Sequence, residues 1–181
     1  MLLVIKMALF KHRKIKIDKK LLQKAENGDA EAQFQVFDEY YRNQKFDEAF
    51  KWCKKAGDQG YEKAYCKISR MYLRGLGVET NIEQFKYWLD KACENDAHAQ
   101  YCKAIFLITG NYYVKNVNDA LNLMELSANN GNIEAIKFLE DYQNRMLTKQ
   151  KRKEEDEDIK KSKDEYKNAL DDMFNQCINN K

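Results

Sequence analysis

Small and large apolar residues recur along this chain at helical spacing, and the arrangement repeats. Ala32, Ala64, Ala99 and Ala135 mark successive copies at intervals of 32, 35 and 36 residues. Eight positions after the first three alanines stand Tyr40, Tyr72 and Leu107, and eleven positions after them stand Asn43, Gly75 and Gly110. Further on in each copy a bulky residue precedes a small one by four, in the pairs Trp52/Ala56, Trp88/Ala92 and Met124/Ala128. An acid stands five before each bulky residue, at Asp47, Glu83 and Asp119, where it favours the positive end of a second helix.

The pattern predicts pairs of antiparallel helices. Two helices touch closely only where a small side chain lets the backbones approach and a large neighbour fills the gap beside it. A single hairpin cannot bury its apolar face, so hairpins stack and the array grows in one dimension. Asp18 reads as the N-cap of a leading helix through Leu21, Leu22 and Ala25 that ends before Gly28. Thr80–Glu83 reads as a capping box opening a second helix. The expected units are 29–60, 61–95, 96–131 and an incomplete 132–147, with 1–20 a basic lead-in.

At these residues the chain resembles the Sel-one-like repeat family, a branch of the tetratricopeptide-like solenoids. The second unit carries the resemblance most fully, in Tyr72-x-x-Gly75-x-Gly77-Val78 and Trp88-x-x-x-Ala92. The first keeps Ala49-Phe-Lys-Trp52, Ala56 and Gly60 without the Gly-x-Gly-Val loop, and the third keeps Gly110 and Asp119–Met124 but has Lys103 where leucine is expected. The resemblance implies an all-α, right-handed α-solenoid of antiparallel helix hairpins. It also implies a role in protein–protein interaction, as an adaptor, scaffold or inhibitor of the immunity type, without catalysis. Bacterial members often act at host–pathogen interfaces, in signalling or as partners of toxins. Carrying over tetratricopeptide groove positions places Phe34, Asp38, Tyr41 and Arg42, then Lys63, Arg70 and Arg74, then Tyr101 and Ile105, then Lys137 and Arg145 along a concave face. Aromatic residues and arginines dominate interface energetics, and these arginines suit a protein or peptide with acidic groups.

Past Met146 the composition changes. Basic Lys149–Lys153 meets acidic Glu154–Asp158, and Lys160, Lys161 and Lys163 follow. With no proline or glycine after Gly131, residues 148–181 read as one long charged helix. An apolar stripe returns at Ile159, Tyr166, Ala169, Leu170, Met173, Phe174, Cys177 and Ile178. It either folds back over the open end of the array, pairs with a second copy through residues 159–178, or meets another protein.

Composition narrows the function further. Of 181 residues 44% are hydrophobic, none is proline and only seven are glycine, which favours long helices with short loops over an extended β fold. The net charge of +3 is uneven: residues 1–20 carry seven Lys/Arg against Asp18, leaving the remaining residues at −3. The repeats are therefore no basic nucleic-acid platform, and an anionic membrane or nucleic acid would be met through the basic N-terminal residues 1–20, or through Lys149–Lys153. Met1–Phe10 lacks a basic segment before its apolar residues and is interrupted by Lys6, a poor signal peptide and too short a span. The expected setting is the cytoplasm, or a host cell after delivery.

The five cysteines show no C-x-x-C spacing and read as reduced, small, buried hydrophobes. Secreted, cysteine-rich members of the resembled family tie neighbouring repeats by disulfides at a junction that Cys93 and Cys102 straddle here. His12 and His98 have no neighbours at metal-ligand spacing, so no metal and no cofactor is expected. Gly75-Leu-Gly-Val78 is an interhelix turn, because no Lys-Ser/Thr follows it and no strand precedes it. No small-molecule substrate is indicated.

Overall fold

The computed structural model describes the backbone of residues 15–179 and the side chains through residue 165 and at Lys167. Among the described residues there are eight helices and no strand: α1 (Lys19–Glu26), α2 (Ala30–Arg42), α3 (Phe46–Asp58), α4 (Glu62–Arg74), α5 (Ile82–Ala92), α6 (Ala97–Thr109), α7 (Val117–Asn129) and α8 (Ile133–Asn179). Two compact units divide at Ala135. In the first, α2/α3, α4/α5 and α6/α7 pair as hairpins, α1 packs on α2, and extensive contact joins helices adjacent in sequence. Most of residues 1–20, with the basic residues at 6, 11, 13 and 14 and with His12, lies outside the described residues. The apolar stripe beyond Lys167 has no described side chains.

An Asx cap opens most of the helices. Asp29, Asp96 and Asn132 each stand three before a marker alanine and accept its N–H, at 2.8 Å from Ala32, 3.0 Å from Ala99 and 2.8 Å from Ala135. Tyr61 occupies that place in the second hairpin, and its carbonyl accepts from Ala64 at 2.9 Å. Asp18 caps α1 by accepting from Leu21 at 3.0 Å, as the spacing predicts. The Thr80–Glu83 capping box does not form. Helix α5 starts one residue later than expected, so Asn81 is the cap and accepts from Gln84 N–H at 2.9 Å.

The core runs across hairpins rather than within one. Phe37, Ala49, Cys53 and Ala56 from the first hairpin share one cluster with Ala64, Ile68, Met71 and Trp88 from the second. Phe85, Leu89, Ala92 and Ala99 carry it on toward the third. The four marker alanines are buried, Met124 and Leu107 are buried with them, and Tyr40, Trp52, Tyr72 and Ala128 are half-buried. Lysines top the tryptophans, with Lys55 Nζ 4.4 Å from the Trp52 ring centre and Lys54 Nζ 5.2 Å from that of Trp88.

Two glycines set how closely the elements approach. A Cβ on Gly57 would meet the end of Ile68 and crowd the Trp88 ring, so both side chains would have to give way to admit one where α3 lies on α4 and α5. Gly77 has φ +70, and a Cβ would run into the backbone of Phe46 and Asp47, which cannot move aside as a flexible side chain could. The α4–α5 turn is thereby seated against the start of α3. Gly75 ends α4 in the left-handed conformation at φ 65.

Helix α8 carries no turn between Ile133 and Asn179.

These contacts rank two substitutions. Gly131→Ala, at φ +85 in open space, should cost about 1–2 kcal/mol from the left-handed backbone alone. Gly77→Ala adds a backbone collision and should lower the midpoint of thermal unfolding well beyond Gly131→Ala. Equal midpoints would show that the Gly77 contact is not rigid.

Candidate functional site on the first-helix face

The first helix of each hairpin, α2, α4 and α6, carries the residues that spacing assigned to a groove. On α2 Phe34 is half-buried, with its ring 5.2 Å from both Phe37 and Tyr61, and Tyr41 lies 5.4 Å from Phe37 and Phe46. Both rings thus serve packing as well as surface. Asp38 is half-buried and Arg42 is exposed, its guanidinium 3.4 Å from Glu39. On α4 Lys63, Arg70 and Arg74 are exposed, with Lys63 Nζ 6.0 Å from the Tyr61 ring. On α6 Tyr101 is half-buried and stacks on His98 at 6.4 Å, and Ile105 is half-buried. Lys137 and Arg145 are exposed on α8 in the second unit.

Electrostatic coupling shows which of these surfaces adjoin. Cys102 on α6 feels Cys66 and Arg70 of α4, Asp96 at the head of its own helix, and Glu134 at the start of α8. Arg70 also acts on Cys66. Arg70 thus acts on a thiol of each of the two helices. The charged residues named here run from basic on α4 to acidic at Asp96 and Glu134. Among the described residues neither Arg70 nor Arg74 enters an ion pair.

Cys102 Sγ lies 3.5 Å from His98 Nε2, one turn away, a neighbour that the sequence reading passed over. Burial pushes the Cys102 thiol up to about 11, with Cys66 and Asp96 adding to the rise and Arg70 opposing it. A nucleophilic cysteine needs the opposite shift. Burial likewise raises Cys93 to about 12, and raises Cys53 and Cys66. Cys53, Cys66, Cys93 and Cys102 are all free thiols, so Cys93 and Cys102 do not form the bridge that secreted relatives suggested. Among the described residues no group of three or more His, Cys, Asp or Glu is arranged to hold a metal ion.

Lys103, which replaces an expected leucine, joins the second and third hairpins through polar contacts. Its Nζ is 2.8 Å from Asp90 Oδ1 on α5, and the Tyr113 hydroxyl donates to the same oxygen at 2.9 Å. Tyr113 also lies 5.5 Å from Lys103 Nζ, and burial followed by the Asp90 hydrogen bond raises its phenol above the usual range. Nothing in the repeat spacing signals this cluster, because Tyr113 belongs to the irregular loop between α6 and α7.

The raised thiols set a pH response. Unfolded cysteines ionise near about pH 8.5. In the folded chain Cys102 and Cys93 keep their protons to about 11 and 12. Their contribution is therefore fully present below the unfolded value and is lost as pH rises through the folded ones. The urea midpoint should fall between about pH 8 and about pH 10.5. Cys93→Ala should flatten that fall, whatever it does to the midpoint itself, and an unchanged slope would remove Cys93 from the account.

Among the described residues no helix is long and apolar enough to cross a membrane. None of the curated protein sequences matches the chain. The Sel1 repeat signature matches residues 30–61, 62–96 and 95–132. The structure is similar to that of a Sel1 repeat protein from Oxalobacter formigenes, with 28% identity and a TM-score of 0.60, over 67% of this chain and 96% of the other. It is also similar to a protective antigen of uropathogenic Escherichia coli that displays an SLR fold, at 26% identity and a TM-score of 0.59, over 64% of this chain and 26% of that one. Sel1 repeat proteins are in general protein-interaction modules, and with three matched repeats covering more than half of its length this chain belongs to the Sel1 repeat family.

Proposed function

We propose that the chain is a non-catalytic adaptor, scaffold or inhibitor that holds another protein, or a peptide segment of one, on its first-helix face. Acidic groups of the partner meet Arg70 and Arg74, while Tyr101 and Ile105 supply half-buried apolar contact beside them. The observation that carries this reading is the pair of exposed arginines one turn apart on α4, neither committed to an ion pair among the described residues. An arginine left unpaired in this way is free to make bidentate, charge-assisted hydrogen bonds to a carboxylate. Arg42 is less available, since Glu39 already engages it. The acids at Asp96 and Glu134 oppose an acidic segment lying across α6, which orients the partner with its negative end toward α4.

The test begins with affinity purification of the native protein from its source, to identify what it holds. Each hydrogen bond to a charged group is worth about 1.5–3 kcal/mol, so Arg70→Glu with Arg74→Glu should weaken binding of that partner about a hundredfold or more. Undiminished affinity in a variant of unchanged helicity would reject the face.

A further inference from the structure

From residue 143 to residue 165 every side chain of α8 is exposed, and no helix of its own unit packs on it. In proteins most helical stability comes from packing one face of the helix rather than from propensity alone. The pairs that α8 makes along itself, Lys153–Glu157 at 3.8 Å and Gln150–Glu154 at 2.9 Å, are exposed contacts of small worth. Yet Ile159 is 54% exposed, and its position is not random. Arg145, Arg152 and Ile159 recur at intervals of seven, with Thr148, Glu155 and Ser162 three further on. These residues form a single seam along the helix. Shallow depressions follow the same seam, one between Arg145 and Arg152 and another beside Ile159. At its head the rings of Phe138 and Tyr142 stack at 6.4 Å.

The charges along this seam are complementary to themselves in one direction only. Four cations, Lys149, Lys151, Arg152 and Lys153, are followed without interruption by five anions, Glu154–Asp158. Two copies side by side in parallel would set like charge on like. Two copies running antiparallel, crossing between Lys153 and Glu154, set Arg152 against Glu155 on the seam and bring Lys149 beside Asp156 and Lys151 beside Asp158 along its flanks, each pair occurring twice. In that register seam positions meet seam positions, as antiparallel helix packing requires. Arg145 falls opposite Ser162, and Ile159 falls opposite Thr148. The Thr148 hydroxyl is already donated to Asn144 O at 2.8 Å, which leaves its methyl for the isoleucine.

The geometry points to a second copy of this chain as the occupant of the exposed face of α8, bound antiparallel through the block of opposite charges at 149–158. This goes beyond the binding role of the first-helix face and does not depend on it.

Sedimentation equilibrium of the full chain tests the inference. The expected result is a dimer at low salt whose dissociation constant rises at least tenfold by about 1 M salt, where screening acts within about 3 Å. One variant carries Lys149→Glu, Lys151→Glu, Arg152→Glu and Lys153→Glu, and a second carries lysine at 154–158. Each alone should be monomeric, and the two mixed should form a one-to-one complex. Circular dichroism of each variant accompanies the measurement. Should a variant lose helix on its own, regain of helix on mixing supports the inference and failure to associate overturns it. A wild-type chain that stays monomeric at about 100 μM and low salt overturns it too, the concentration being far above about 1 μM for a specific pair. So does dimerisation that persists in both variants, which would locate the interface elsewhere, the first-helix face included.

Discussion

Helix α3 lies close against the second hairpin at Ala56 and Gly57, and the stack depends on it. With no side chain at Gly57 and only a methyl at Ala56, Ile68 and Trp88 reach across and join two hairpins into one core. A larger group there would push aside the end of Ile68 and the edge of Trp88, and their dispersion contacts would weaken. The strength of this preference shows at Trp88. Its indole N–H is buried without a hydrogen-bond partner, a loss of about 1–3 kcal/mol that a phenyl ring would avoid. The indole stays because its bulk fills the gap that the alanines and glycine create.

Polar joints complete what the small residues begin. Gln33 and Gln100 each follow a marker alanine, and each is buried with both ends satisfied. Gln33 donates to Ala25 O at 3.1 Å and accepts from Gln59 at 2.7 Å, while Gln100 donates to Cys93 O at 2.8 Å and accepts from Asn130 at 3.1 Å. One amide thereby ties the end of the preceding helix to the end of the second helix in its own hairpin. In the middle hairpin Tyr65 takes that place and uses its ring on Trp88 at 5.5 Å instead. The array therefore alternates polar and aromatic joints on a common backbone plan.

How much of this was readable depends on the range of the interaction. The alanine spacing and the bulky residues that answer it report contacts between neighbouring helices, and such contacts leave a period in the chain. The Asx residues three before Ala32, Ala99 and Ala135 were equally regular and equally readable, but spacing counted from the alanines drew no attention to them. Lys103, Asp90 and Tyr113 meet through a loop with no period, so only coordinates bring them together. For the first-helix face, spacing assigns the side of the helix but not the depth. Phe34 and Tyr41 are partly covered, because Tyr61 and Phe46 from outside their helix reach them. Arg70 and Arg74 on the next first helix are exposed instead.

Because extensive packing joins helices adjacent in sequence, few long loops must close before native contacts form. Growth outward from the shared centre of α3, α4 and α5 is then the route of least entropy. The same wiring localises damage: a joint that fails frees what lies beyond it and spares the rest. Evolution can lengthen, trim or graft such a chain one hairpin at a time without rebuilding its interior.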